Sequence, residues 1–302
     1  MLTPKKVAVI GFGEAGTIIA EGCLSGTKRI QHEAECHAWD LRMRDPEAKK
    51  GLLEKAAPLG VLLHEEPGAW IGEMDVVFSL VFGGAAKGVA LEILPFMKND
   101  AAYIDLTTSV PDDMREAATA FDKRGVHFID GTALGSFRTN GITVPFVLSG
   151  SNVASWSSWM NSLGFATTPV PGGAGNASCV KLLRSILAKG LEALAIECFT
   201  TAEAMGLRET MKSAFNDFDL RPLVAAFEDM SASHIPHCKR RLEEIDHALH
   251  MLDSVSLEGT MTKASRDFYA RTASSGEQLV PGKQGTWDAC LPAFQKILKK
   301  NS

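Results

Sequence analysis

The sequence predicts an α/β protein, an N-terminal Rossmann-type doubly wound sheet followed by an all-helical C-terminal domain. Three observations predict it. In residues 7–16, VAVIGFGEAG, four apolar residues run into glycines at G-x-G-x-x-G spacing. Short apolar runs then alternate with helical periods as far as residue 170, which is the spacing of βαβ units. Strand signals stop after the Pro/Gly-rich stretch 169–175, PVPGGAG. That punctuation divides the chain into a dinucleotide-binding domain over 1–172 and a helical domain over 173–302.

Residues 7–10 form the first strand. Gly11 permits the tight turn into a helix, Gly13 lets the backbone approach a pyrophosphate, and Gly16 lets the helix pack closely on the strand. The helix N-terminus offers N–H groups and the positive end of its dipole to phosphate. Gly11, Phe12, Gly13, Glu14, Ala15 and Gly16 are therefore the candidate cofactor-binding turn. After a polar stretch, 25–35, a second strand over 36–39 ends at Asp40. An acid at this position hydrogen-bonds the adenosine ribose hydroxyls and repels a 2′-phosphate, so Asp40 favours NAD. Arg42 and Arg44 can each pair with a 2′-phosphate, which keeps NADP open.

Residues 46–59 read as a helix with Glu47, Lys50 and Glu54 on its polar side, and 61–63 as a short strand. The run 75–81, DVVFSLV, is nearly all apolar, as in a strand buried on both faces of a parallel sheet. A helix over 84–97 and a strand over 102–105 follow. Pro111 suits a first helical position and Asp112 and Asp113 a first turn, so 111–124 is a helix. Strands over 126–130, 145–149 and 166–170, with a helix near 152–163, complete the domain. One long helical pattern covers 177–205, and the rest is helical to about Ile297, punctuated at Pro222, Pro236, Gly259 and Pro281–Gly282.

The net charge of −5 argues against a nucleic-acid or anionic-membrane partner, because both select basic surfaces. Lys299 and Lys300 read as a solvated tail. No apolar run reaches membrane-spanning length, and residues 1–6 are too short for an apolar targeting core. Cys23, Cys36, Cys179, Cys198, Cys238 and Cys290 include no C-x-x-C pair. A reducing, cytoplasmic setting is the expectation, without a disulfide framework or zinc ribbon. The pairs His234/His237 and His247/His250 lack an H-E-x-x-H pattern and read as surface or hydrogen-bonded histidines, so no metal is expected. Lys239, Arg240 and Arg241 read as a solvated face; the alternative is a cluster reaching an acidic substrate from a partner subunit.

Three further stretches carry a resemblance. Residues 105–111, DLTTSVP, match a D-x-S-T-x-x-P motif, and 130–136, DGTALGS, match D-x-P-V-S-G-G in part. Lys181 begins the long helix after a glycine-containing turn, and Ser185 stands four residues on, where Asn is expected. On these residues the chain resembles the 3-hydroxyacid dehydrogenase superfamily, which includes the 6-phosphogluconate and 3-hydroxyisobutyrate dehydrogenases. Residues 181–194, KLLRSILAKGLEAL, are similar to a branch of phosphogluconate dehydrogenase-like proteins with a distinctive C-terminal helical domain.

The resemblance implies an NAD(P)-dependent oxidoreductase that moves a hydride between nicotinamide and a small hydroxy acid. Such a reaction needs a hydride acceptor, a base for the hydroxyl proton and groups that fix the substrate. By resemblance, Lys181 is the general acid/base, and Ser185 takes the place of a substrate-binding Asn. Thr108 and the backbone after Ser79 approach the nicotinamide ribose, Thr132, Gly135 and Ser136 bind the substrate's acid group, and the helical domain builds a homodimer. A buried lysine beside a positive charge releases its proton more readily; the plain alternative is a lysine snorkelling along an amphipathic helix. Lys189 shares the face of Lys181 and Ser185 but lies about two turns on, roughly 12 Å, too far to touch the same atom. Leu134 stands where relatives hold the substrate carboxylate with serine, which predicts a substrate with apolar bulk. Two other readings stand beside this one. An imine reductase-like enzyme is opposed by the retained Lys181; a non-catalytic redox sensor is supported by the replaced Asn and Ser and opposed by the intact Lys181.

Overall fold

The computed structural model describes residues 2–31, 34–216, 220, 222–278 and 286–299; Pro281–Gly282 and Lys300 lie outside the described residues. Strands whose apolar residues run without alternation must be covered on both faces. In β1 (Lys6–Ile10), Val7 and Val9 pack into one core cluster and Ala8 and Ile10 into another, all four fully buried. The same division continues through β2 (Glu35–Trp39), β4 (Val76–Ser79) and β5 (Ala102–Asp105), with β3 (Leu62–Leu63) a short edge. β6 (His127–Ala133), β7 (Pro145–Gly150) and β8 (Ala166–Pro169) complete one sheet in the order β3-β2-β1-β4-β5-β6-β7-β8. All neighbours are parallel except β6 and β7.

The connecting helices are α1 (Glu14–Arg29), α2 (Pro46–Ala56), α3 (Ala86–Ile93), α4 (Pro111–Arg124), the short α5 (Phe137–Asn140) and α6 (Val153–Ser162). Local chemistry sets their ends. Asp45 caps α2, accepting from the Glu47 N–H at 2.9 Å, and Gly125 closes α4 with φ +71°. The helix expected over 84–97 is α3 flanked by 3₁₀ turns, the second containing Pro95. β6 runs to Ala133 rather than stopping at Asp130, because residues 129–133 pair antiparallel with β7.

The long helix α7 (Asn176–Ala204) is followed by α8 (Arg208–Ala214), α9 (Leu223–Ala232), α10 (His234–Ser254), α11 (Thr260–Ser275) and α12 (Trp287–Ile297). Pro222 and Gly259 precede helices, and Pro236 lies in the first turn of α10. The chain divides into two compact units, Met1–Ser185 and Ile186–Ser302, so the division falls inside α7 rather than at 169–175. The first turns of α7 go with the sheet because strand side chains bond their backbone. In the second unit Ala232, Cys290, Phe294 and Ile297 form a small core. Among the described residues no helix is long and apolar enough to cross a membrane.

Candidate functional site

The glycine turn opens the site. Gly11 has φ +89°, and a Cβ there would stand 2.5 Å from the Leu80 carbonyl oxygen, so the chain requires glycine. A Cβ on Gly16 would collide with the Gly11 oxygen. Gly13 is the N-cap of α1 and brings no side chain to its first N–H groups. Beside the turn lies a cleft of about 530 Å³, walled by Trp39, Asp40, Arg42, Val89 and Glu92 among others. Gly11, Gly13, Glu14, Ala15, Gly16 and Asp40 all line it. Phe12 does not: its side chain is fully buried in the core, and its N–H is taken by Asp40.

Asp40 is nearly buried and accepts four hydrogen bonds. Its Oδ2 receives the Phe12 N–H at 2.8 Å and Arg42 Nη2 at 2.8 Å; its Oδ1 receives the Arg42 N–H at 3.0 Å and Nε at 2.8 Å. Burial pushes the carboxyl pKa up, but these donors outweigh it and hold Asp40 below the ordinary carboxylate value. Arg44 forks instead onto Glu66, at 2.7 and 2.5 Å, and lies 6.0 Å over the Trp39 ring.

The ends of the central strands hold a buried polar row. Ser79, Asp105 and Asp130 are register neighbours across β4, β5 and β6, and all are fully buried. The Ser79 hydroxyl, the Tyr103 hydroxyl and Asp105 Oδ2 meet no hydrogen-bond partner among the described residues. Asp105 Oδ1 accepts the Thr107 N–H at 2.7 Å. Burial raises the Asp105 pKa to about 7, and the Asp130 carboxylate adds to the rise. The Ser79 side chain is thus enclosed within the sheet, while Leu80, Val81 and Phe82 after it line the cleft.

Asp130 ties the sheet to α7. Its Oδ2 accepts the N–H groups of Gly175 at 2.9 Å and Ser178 at 3.0 Å and the Ser149 hydroxyl at 3.2 Å; its Oδ1 accepts the Ser178 hydroxyl at 2.6 Å. Ser149 Oγ in turn accepts the Ala177 N–H at 2.9 Å. Ser149 and Asp130 thereby take the Ala177 and Ser178 N–H groups in the first turn of α7, and the buried carboxylate complements its positive dipole end. Three residues further along β6, the Ala133 carbonyl accepts Lys181 Nζ at 2.5 Å. One strand therefore fixes both the helix start and the half-buried lysine on its second turn.

The expected substrate residues separate. Thr132 lies fully buried in β6 with its hydroxyl 3.3 Å from Thr108 Oγ1, so sheet pairing encloses it instead of offering it to an acid group. Leu134 is half-buried and its N–H donates to the Pro145 carbonyl at 2.7 Å, while Gly135 and Ser136 are exposed. Ser185 is half-buried, one turn on from Lys181. Lys189 is exposed and pairs with Glu192 at 3.8 Å. His234 is buried and bonds Thr272 Oγ1 at 3.0 Å, and its neighbour His237 is exposed. Arg240 pairs with Glu244, and Arg241 bonds Ser233 at 2.9 Å. Among the described residues no group of three or more His, Cys, Asp or Glu side chains is placed to hold a metal. Sequence reasoning missed the role of Asp130, Ser149 and Ser178, which are separated by 19 and 48 residues and share no local pattern. It also missed the Arg42 fork, although an Arg two residues past a strand-end Asp was visible.

The family profile for the NAD binding domain of 6-phosphogluconate dehydrogenase matches residues 6–141. A conserved hypothetical protein from Sinorhizobium meliloti is 31% identical, with 97% of each chain covered and a TM-score of 0.60. A conserved protein of unknown function, described as structurally similar to 3-hydroxyacid dehydrogenases, is 24% identical over 89% of this chain and 97% of its own, with a TM-score of 0.60. An imine reductase variant from Myxococcus stipitatus, solved with NAD+, is 16% identical over 99% of this chain and all of its own, with a TM-score of 0.75, and so shares the fold.

Proposed function

We propose that the chain belongs to the 3-hydroxyacid dehydrogenase superfamily and is an NAD(P)-dependent oxidoreductase moving a hydride to or from a hydroxy acid, with Lys181 as general acid/base. The observation that carries this reading is Lys181 Nζ on the Ala133 carbonyl, within the segment 132–136 expected to meet substrate. The residues present fit a dinucleotide. The backbone crowds at Gly11 and Gly16, α1 starts without a side-chain cap, and a carboxylate stands at the end of β2. When bound, nicotinamide supplies the hydride acceptor or donor. Lys181 holds or gives the proton at the substrate oxygen, and its contact with Ala133 fixes where that proton sits. Gly135 and Ser136 offer polar groups to the substrate's acid end, and Leu134 excludes water beside them.

NAD is the favoured cofactor. Asp40 stands in the cleft wall, Glu92 adds further negative charge to it, and Arg44 is held by the Glu66 carboxylate. A 2′-phosphate would have to compete with these acids. The second unit supports a homodimer: Ile186, Ile196 and Phe199 of α7 are 73%, 63% and 41% exposed, and burial of such side chains drives association. The six free cysteines suit a reducing cytoplasm.

The test is nicotinamide absorbance with purified protein across hydroxy acids graded in size. Turnover is expected on larger, partly apolar hydroxy acids and little on 6-phosphogluconate or small polar acids. Leu134→Ser should move kcat/KM toward small acids by roughly 5- to 150-fold, the equivalent of about 1–3 kcal/mol for one desolvated hydroxyl. Efficient oxidation of 6-phosphogluconate by the wild type would remove Leu134 from the pocket. The fold shared with the Myxococcus stipitatus enzyme favours a second reading, reduction of a C=N bond. Turnover of cyclic imines but of no hydroxy acid would establish that reading instead.

A further inference from the structure

The four hydrogen bonds at Asp40 raise a question of capacity. A carboxylate offers about four acceptor positions. Here all four are filled, two by the backbone N–H groups of Phe12 and Arg42 and two by the Arg42 side chain. The backbone donors are fixed by the turn. The side-chain donors are removable: the Arg42 side chain is 52% exposed, whereas that of Asp40 is 9% exposed beneath it. If the guanidinium leaves, two acceptor positions open on one carboxylate edge. Two is the number that the vicinal hydroxyls of a ribose require.

We propose that Arg42 is a specificity-determining residue that competes with the adenosine ribose for Asp40, and so weakens NAD binding while favouring NADP. The inference rests on the dinucleotide reading of the cleft and adds to it a residue that works against the favoured cofactor. To bind NAD, the diol replaces a forked, charge-assisted contact with two neutral donors, so part of the binding energy goes into moving Arg42. To bind NADP, the displaced guanidinium keeps an anionic partner in the 2′-phosphate. Its position suits that exchange: Nη2 lies 3.8 Å from where a Cβ on Gly13 would stand, at the rim of the phosphate turn. Arg44 is held elsewhere by Glu66 and cannot replace it without breaking a second fork. The pair therefore narrows the preference that Asp40 alone would give.

The experiment measures NAD and NADP affinity by calorimetry for the wild type, Arg42→Ala, Arg42→Gln, Asp40→Asn and the Arg42→Ala/Asp40→Asn double variant. Circular dichroism confirms folding, and Arg42→Gln, which keeps one donor, serves if the alanine variant is unstable. Arg42→Ala should bind NAD about fivefold more tightly, the scale of a half-exposed ion pair, and NADP about tenfold more weakly. Arg42→Gln should fall between. The NAD gain should vanish in the Asp40→Asn background, because the competition is at that carboxylate. Uncharged adenosine, followed by NMR, carries the diol without phosphate; its affinity for the wild type should rise with salt and that for Arg42→Ala should not. Unchanged or weaker NAD binding in Arg42→Ala, or a gain that survives Asp40→Asn, overturns the proposal and leaves the dinucleotide reading standing. Failure of the wild type to bind either dinucleotide overturns both.

Discussion

The cofactor turn and the β6–α7 junction lie in one compact unit but are built by different means. The turn is made from backbone within residues 10–16, and its shape follows from where a Cβ cannot go. The junction is made from side chains: a carboxylate from β6, a hydroxyl from β7 and another from α7 converge on one helix start. At the open rim of the turn, where a Cβ on Gly13 would meet only the Arg42 side chain, substitution acts on ligand affinity and leaves the sheet alone; at Gly11 and Gly16 it would strike backbone. At the junction, substitution acts on the sheet, the helix and the lysine together, because the same strand holds all three. The rim of the binding surface is thus separable from stability, whereas the placement of Lys181 is not.

Breaking the junction should have the larger effect. Asp130→Asn removes an acceptor and turns a donor toward donors, leaving buried N–H and O–H groups unsatisfied at about 1–3 kcal/mol each. Two such groups would lower Tm by roughly 4–24 °C, and the helix start would loosen. Calorimetric Tm and kcat are expected to fall together while NAD affinity holds. Normal turnover in a destabilised Asp130→Asn protein would separate helix capping from lysine placement and break the comparison.

The matching change at the turn is Asp40→Ser. It should weaken NAD binding by about 1.5–3 kcal/mol, roughly 10- to 150-fold, and relax the discrimination against NADP, with a smaller loss of stability. Cofactor titrations of both proteins measure this. A wild type that already prefers NADP would mean that Arg42 outweighs Asp40.

A further effect is on pH dependence. Asp105 has a folded pKa raised to about 7, far above that of an unfolded aspartate. Between the two values the folded state holds a proton that the unfolded state lacks, so stability falls as pH rises from about 4 to about 7 and then levels. Asp105→Asn should flatten that decline in a pH series of Tm values. A wild-type stability that rises across the same window after subtraction of the Asn variant would contradict it.

Most of the fold was legible in the sequence, because a parallel sheet covered on both faces writes its strands as apolar runs and its turns as glycine and proline. β5 and α4 fall where the sequence places them. The end of β6 was not legible: Gly131, Thr132 and Ala133 carry no strand signal and join the sheet through pairing with β7. The same pairing encloses Thr132, which the motif alone offered to substrate. In the site, the glycine turn was readable since its logic is local. Asp130 could be read as part of a motif but not as a cap, since its partners are 19 and 45–48 residues away. The exposed leucines and isoleucines of α7 show the opposite limit: a helical apolar pattern says that a face is buried, but not by what.

The central claim is that β6 presents Lys181 to exchange a proton with the substrate. Single-turnover hydride transfer by Lys181→Ala, with NAD affinity measured on the same samples, tests it most directly. The account predicts a rate slower by about 10²–10⁴-fold, the span for losing a general acid/base, at unchanged NAD affinity. A rate close to wild type at that same affinity would contradict it.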